Sequence, residues 1–336
     1  MWRLLALAVA VGCAGLHPAA APAPTEADCV PVARWVDPRD RRLLAHDAVL
    51  ARAARADVVL LGEEHDAAEH HRWQASVLAA LLARRPAIAV GLEALPRSAQ
   101  AALDEWSAGA LDAPALFERS GWRAYWGAGA DQYLPIVHWV RMHRQSLVAL
   151  NVSRSLVARV GRNGWSAVPI DAREGLTDPV PADDAYRQAL AQVYAEHACR
   201  DAAAVARTPQ FARFVEAQLT WDRAMAEAIA AARRAHPEAL VVGIMGRGHL
   251  ERGAGVPRQL AALGVGHVQV LLPWDEERPC EELTPDLATA VFGIQSPADE
   301  RAAMVRARAA LAPPCAKRAD ETPRGGAPQG ATPDAR

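Results

Sequence analysis

Val58-Val59-Leu60-Leu61-Gly62-Glu63-Glu64-His65 is an apolar run that stops on a glycine, with two carboxylates and an imidazole following at once. The pattern returns in Ala87-Ile88-Ala89-Val90-Gly91-Leu92-Glu93, in Leu147-Val148-Ala149-Leu150-Asn151, and in Val241-Val242-Gly243-Ile244-Met245-Gly246-Arg247-Gly248-His249. Each run has the length and β-branched content of a buried strand, and each ends on a polar group for which a core has no use. Read outward from these runs, the order is strand (58–63), helix (65–84), strand (87–93), helical stretch (96–145) and strand (146–152). A polar segment (153–185), helices (186–236), strand (239–246), helix (252–263) and strand (266–272) complete it. This alternation predicts an α/β fold with a mainly parallel central sheet flanked by helices. The insertions 96–145 and 186–236 are too long for simple crossovers and predict a helical lobe over the sheet edge. Ligands of open parallel sheets sit beyond the carboxyl ends of the strands, so four polar endings at one edge predict one site.

The ends of the chain carry address rather than fold. Met1-Trp2-Arg3, the apolar run Leu4 to Val11 and Gly12-Cys13-Ala14 form an export signal too short to span a bilayer. Cys13, preceded by Ala10-Val11-Gly12, sits as the lipidated residue does in a bacterial lipobox. Cleavage nearer Ala19-Ala20-Ala21 would discard it, but the small residues before Cys13 favour the lipid anchor. The expected plan is a signal over 1–13, an Ala/Pro-rich tether over 14–28, one domain over 29–312 and a disordered Pro/Gly-rich tail over 313–336. Export permits disulfides, and Cys29, Cys199, Cys280 and Cys315 allow three pairings between which sequence does not choose. A net charge of −2 argues against a nucleic-acid or acidic-lipid surface.

Glu63 and His65 fall where strand meets helix, at the mouth of the expected site. Glu64 and Asp66 read as ordinary first-turn acids, and Glu69 and His71 as a solvated polar first turn. Glu93 ends a wholly apolar strand, so it must be paired, protonated or bound to a cation; Arg97, one turn on, is the bland partner. His249 holds the matching place on another strand, behind the alternate glycines of Gly246-Arg247-Gly248. Asp222, in Trp221-Asp222-Arg223-Ala224-Met225-Ala226, either orients a histidine or pairs at the surface with Arg223 or a residue one turn away. The segment 106–143 crowds Trp106, Phe117, Trp122, Tyr125, Trp126, Tyr133 and Trp139 beside His138, Met142 and His143. Such a lobe either makes its own core or holds a flat macrocycle through an axial Tyr or His, with Tyr133 the first candidate and Tyr125 and His138 behind it.

On Gly62-Glu63-Glu64-His65, Gly91-Leu92-Glu93, Trp221-Asp222-Arg223-Ala224-Met225-Ala226 and Gly246-Arg247-Gly248-His249, the chain resembles the ChaN-like haem-binding lipoproteins. They lie within the wider group that includes TraB, Tiki and the erythromycin esterases, and the likeness runs from about Val58 to Pro273. The resemblance implies a periplasm-facing lipoprotein of haem or iron uptake, with paired haems at a homodimer interface. It also implies an active-site-like cluster of Glu63, His65, Glu93 and His249. In the esterase branch the histidine is a base; in the Tiki branch the cluster holds a divalent metal, which here makes Glu63, His65 and His249 the metal candidates. Two expectations follow: a haem carrier, or a metal-dependent hydrolase working through the cluster. The absence of a Gly-x-Ser-x-Gly elbow disfavours a serine hydrolase.

Overall fold

The computed structural model describes residues 29–198, 200–298 and 302. The signal over 1–13 with Cys13, the tether over 14–28, Cys199, Cys315 and the tail over 313–336 lie outside them. The five predicted apolar strands are all present. β1 (Trp35–Val36), β2 (Leu43–Leu44) and α1 (His46–Ala54) precede β3 (Val58–Glu63), α2 (Ala68–Leu82) and β4 (Ile88–Pro96). The stretch expected to be helical over 96–145 is four short helices, α3 (Gln100–Ser107), α4 (Ala113–Ser120), α5 (Trp122–Trp126) and α6 (Leu134–Met142). They part where the sequence caps and breaks them. Asp112 accepts from the Ala115 N–H to start α4, and Gly121 at φ 63° ends it. β5 (Ser146–Asn151) is followed by α7 (Arg154–Asn163), which starts inside the expected polar segment because Ser153 caps it. Then come α8 (Asp184–Ala198), α9 (Ala202–Val205) and α10 (Pro209–Ala235), followed by β6 (Leu240–Gly246), α11 (Val256–Ala262), β7 (Val268–Asp275) and β8 (Ala290–Ile294).

The strands form one sheet in the order β2-β1-β8-β7-β3-β6-β4-β5, parallel from β8 to β5, with β1 and β2 added antiparallel at one edge. β3 is wholly buried, as a parallel strand covered on both faces must be. Its side chains alternate between two cores: Val59 and Leu61 face α1 and α2, while Val58 and Leu60 face α10 and α11. Each such leucine contributes about 1.5–3 kcal/mol by leaving water. α10 covers the second face, begun by the Thr208 cap and Pro209 and ended by Arg233 and Arg234, which suit the helix dipole. Gly91 lets β4 lie against β5: a Cβ there would stand 2.6 Å from Leu150 Cδ2.

At the far edge, β5 pairs with β4 alone, and Gln100 blocks its open side. The Gln100 amide donates to the Leu147 carbonyl (2.9 Å) and its oxygen accepts from the Ala149 N–H (2.9 Å), as a neighbouring strand would. At the other side, a disulfide joins Cys29 to Cys280 in the β7–β8 connection. No helix of the described residues is long and apolar enough to cross a membrane.

Candidate functional site

The strand order brings the polar endings together. β6 lies between β3 and β4, with Glu63 in register with Gly246 and Leu92 with Ile244. Glu93 reaches across the strand gap, and its Oε2 accepts the Gly246 N–H at 2.7 Å. His65 follows β3 in the turn before α2, and His249 closes the single turn after β6.

Three buried carboxylates hold the histidines. Glu63 Oε1 lies 2.8 Å from His65 Nδ1 and accepts the Tyr133 hydroxyl; its Oε2 accepts from Gln74 Nε2 at 2.9 Å and lies 3.3 Å from His71 Nε2. Asp222, fully buried on α10, receives His249 Nδ1 at 2.6 Å and the Tyr186 hydroxyl at 2.9 Å. Between the two sets stands Glu93, whose Oε1 is 3.6 Å from His249 Nε2 and 4.0 Å from His65 Nε2. The result is an alternating chain, Asp222–His249–Glu93–His65–Glu63. Gly246 makes room for it: a Cβ there would lie 3.1 Å from His65 Nε2 and 3.6 Å from Glu93 Oε2.

The charges follow from this packing. Burial works against the Glu63 carboxylate, but the hydrogen bonds from His65 and His71 outweigh it and hold the group well below the usual carboxylate range. Burial also works against the charged form of His65. The Glu93 charge, then the bond to Glu63, overcome it and raise the ring to about 9. That side chain is 44% exposed to the cleft, so water screens part of the effect. His249 is raised for the same reason by Glu93 and Asp222. His65 therefore favours the imidazolium near neutral pH, and His249 is shifted in the same direction, both set among three carboxylates.

The cluster opens on a cleft of about 580 Å³, whose walls include His65, Tyr186, Leu190, Phe214, Arg247 and His249. A larger hollow, about 830 Å³, lies between β5 and α10, away from these groups. Among the described residues, no group of three or more His, Cys, Asp or Glu side chains is placed to share a metal ion. The ring nitrogens of His65 and His249 are already spent on Glu63 and Asp222 or turned on Glu93.

Glu63, His65, Glu93 and His249 thus meet at one place. Tyr133 lies beside them, buried beneath Glu63, instead of opening to a ligand. Tyr125 is half-buried and donates to the Val152 carbonyl at 2.9 Å; His138 is exposed, edge-on to Trp106. One expectation needs correction, and one bland alternative falls away. His71 is no solvated first-turn residue: it is 4% exposed, packed at a tilt against Tyr133 and turned to Glu63. Arg97 does not pair with Glu93; it bonds the Ala224 carbonyl and faces Glu227. Asp222 orients a histidine, and Arg223 turns instead to Glu227 and Thr177. Gln74 and Tyr186 were missed. The signal for Gln74 was its place one turn from His70 and His71 on the inward face of α2, where a polar residue needs a polar partner.

A family model described as haem-binding uptake, Tiki superfamily, ChaN matches residues 49–260, and the chain belongs to that family. The structure of ChaN of Campylobacter jejuni with cofacial haem binding is 20% identical, covers 77% of this chain and 95% of that one, and has a TM-score of 0.60, which shows a shared fold. A mutant of the erythromycin esterase EreC in its open conformation is 15% identical over 72% of this chain and 77% of its own, with a TM-score of 0.43. The type III effector HopBA1 is 11% identical over 74% and 92%, also at 0.43. Neither of these two bears on function. No curated protein matches the sequence.

Proposed function

We propose that this member of the ChaN haem-binding family is an exported, lipid-anchored protein of the bacterial envelope, facing the periplasm, that binds haem in the course of haem or iron uptake. The family match over residues 49–260 carries the reading. The signal-like start with Cys13 supports the address, with anchoring by acyl chains rather than by a spanning helix. The C. jejuni relative, with its cofacial haem, supports paired haems shared by a homodimer.

Haem, when bound, would supply an iron that needs a protein donor free to reach it. His65 and His249 do not fit, because both turn Nε2 inward on Glu93. Tyr133 and Tyr125 fit poorly. Their hydroxyls donate to Glu63 and to a carbonyl, and burial followed by nearby carboxylate charge pushes both phenols up, away from the phenolate that binds iron. The exposed imidazoles of the α6 region, His138 and His143, fit the donor role. Titration of haem into the purified protein tests the reading: a Soret band that saturates at a fixed ratio supports it, and free-haem spectra throughout refute it. Mass spectrometry of the mature N-terminus tests the anchor, since an unmodified start beyond Cys13 means plain secretion.

One observation favours a second reading. Glu93 Oε1 stands between two histidine nitrogens, 3.6 Å and 4.0 Å away, and both histidines line the cleft. Those gaps suit a water held by all three groups and activated by the carboxylate, which is hydrolase chemistry. For the expected divalent metal, no three His, Cys, Asp or Glu side chains among the described residues are placed to share an ion. Hydrolysis of ester or peptide substrates, lost in Glu93→Gln, is the outcome that supports this reading.

A further inference from the structure

We infer that the hollow between β5 and α10, apart from the Glu93 cluster, is a binding site for a medium-chain fatty carboxylate, its head on Arg97 and its tail along α10. The hollow measures about 830 Å³, within the range of small-molecule sites. Its walls are mostly apolar, with Leu147, Val148 and Ala149 from β5 and Ala228, Ala231 and Ala232 from α10. On a helix, positions three and four apart share a face, and Ala228, Ala231, Ala232 and Ala235 are so spaced. With only methyl groups on that face, the space beside β5 is left unfilled. From Glu227 to Ala235 it runs about 12 Å by the helical rise, room for an extended tail.

Positive charge is in excess there. Arg97, Arg223 and Arg234 line the hollow against two carboxylates, Asp104 and Glu227. Glu227 is largely spent on its neighbours: its Oε1 accepts from Arg223 Nε at 2.9 Å, from the Thr177 N–H at 3.0 Å and from the Thr177 hydroxyl. Asp104 accepts from the Gln100 amide at 2.9 Å. Arg97 is left with less. Of its five N–H groups, one donates to the Ala224 carbonyl at 2.9 Å and another reaches the Glu174 carbonyl only at 3.5 Å. Its ion-pair partner, Glu227 Oε2, is 3.7 Å away, beyond a hydrogen bond. Burial works against the Arg97 charge by more than Glu227 and Glu174 make good. A partly buried guanidinium with no carboxylate in hydrogen-bond reach is suited to bind one, because its planar fork takes both oxygens. Arg234, at the other end, is exposed and makes no ion pair among the described residues; solvent screens it, so the head belongs at Arg97.

The test uses the full-length protein in phospholipid nanodiscs and the fluorescence of dansyl-undecanoate, with empty nanodiscs as the blank. The unsubstituted protein should take up the probe saturably and release it to decanoate. Butyrate, whose tail is too short, and decanol, which has no charge, should not displace it. Ala231→Trp puts an indole into the hollow from an exposed helix position. It should raise the Kd at least about tenfold, the worth of about two buried methylenes, and leave the urea midpoint in place. Arg97→Gln should also weaken binding at least about tenfold, with Arg97→Lys in between because a point charge replaces the fork. Arg234→Gln should bind as the unsubstituted protein. If Arg97→Gln fails to fold, Ala231→Trp and the decanol comparison decide. No saturable uptake, equal displacement by decanol and decanoate, or unchanged binding in Ala231→Trp overturns the assignment. Loss of binding in Arg234→Gln with none in Arg97→Gln overturns the place of the head. None of these outcomes touches the haem reading, which rests on other residues.

Discussion

Glu93→Gln removes one charge with almost no change of volume, and the amide oxygen still accepts the Gly246 N–H that Glu93 holds at 2.7 Å. The fold should persist while the field at both histidines changes. A unit charge about 4 Å from an imidazolium at an effective dielectric of about 20 is worth about 4 kcal/mol, or about three pKa units. Glu93 Oε1 lies 4.0 Å from His65 Nε2, but His65 is 44% exposed, so screening reduces the expected shift to about one or two units. His65, raised to about 9 in the intact cluster, should therefore titrate about one to two units lower in the variant. Proton NMR of the histidine ring C–H signals between about pH 5 and 10, assigned with His65→Gln, reads the midpoint directly. A midpoint that moves by less than about half a unit would falsify the view that Glu93 sets the charge of this site.

Three further outcomes are expected. The raised His65 stabilises the fold fully below its ordinary value of 6.5 and loses that contribution as pH climbs through about 9, while depressed Glu63 stabilises above its ordinary 4.5 and loses it on acidification. Thermal unfolding midpoints should thus peak between about pH 5 and 6.5 and fall by about 2–4 °C toward pH 9; a flat profile contradicts the arrangement. Gln100→Ala should cost about 1–2 kcal/mol in urea melts and bring self-association visible by light scattering, because it bares the β5 edge; a variant that stays dispersed at high concentration argues against the blocking role. Gly91→Ala, with a Cβ 2.6 Å from Leu150 Cδ2, should cost about 1–3 kcal/mol, and an unchanged urea midpoint would mean that β4 and β5 have slack.

What sequence makes legible here is what short-range pattern encodes. Val58–Leu61 and Val241–Met245 are β-branched, apolar and bounded by glycine or charge, so they read as strands without knowledge of their neighbours. Their polar ends likewise announce a common edge. Trp35–Val36 and Leu43–Leu44 are two-residue strands, defined only by the partners they meet, Trp35 by Leu44 and Phe292. His71 looks like a wet helix start because its reason for burial, the Glu63 carboxylate, lies on another element. Asp222 was half legible: an acid amid Trp221, Ala224, Met225 and Ala226 needs a buried partner, but His249 is 27 residues away and its approach depends on the fold.

The place of β6 in the sheet has a consequence for the order of assembly. Residues 58–96 emerge early from any exporting or synthesising machinery, yet β3 and β4 are not neighbours; the strand that separates them begins only at Leu240. Until that strand is threaded into the gap, Glu63 and Glu93 have no common wall, and the Gly246 N–H that holds Glu93 has not arrived. Maturation of the site is thereby tied to the last third of the polypeptide. Closing a loop of this span before the contact repays it makes a slow step, and a half-made sheet with open strand edges is the species a chaperone would meet.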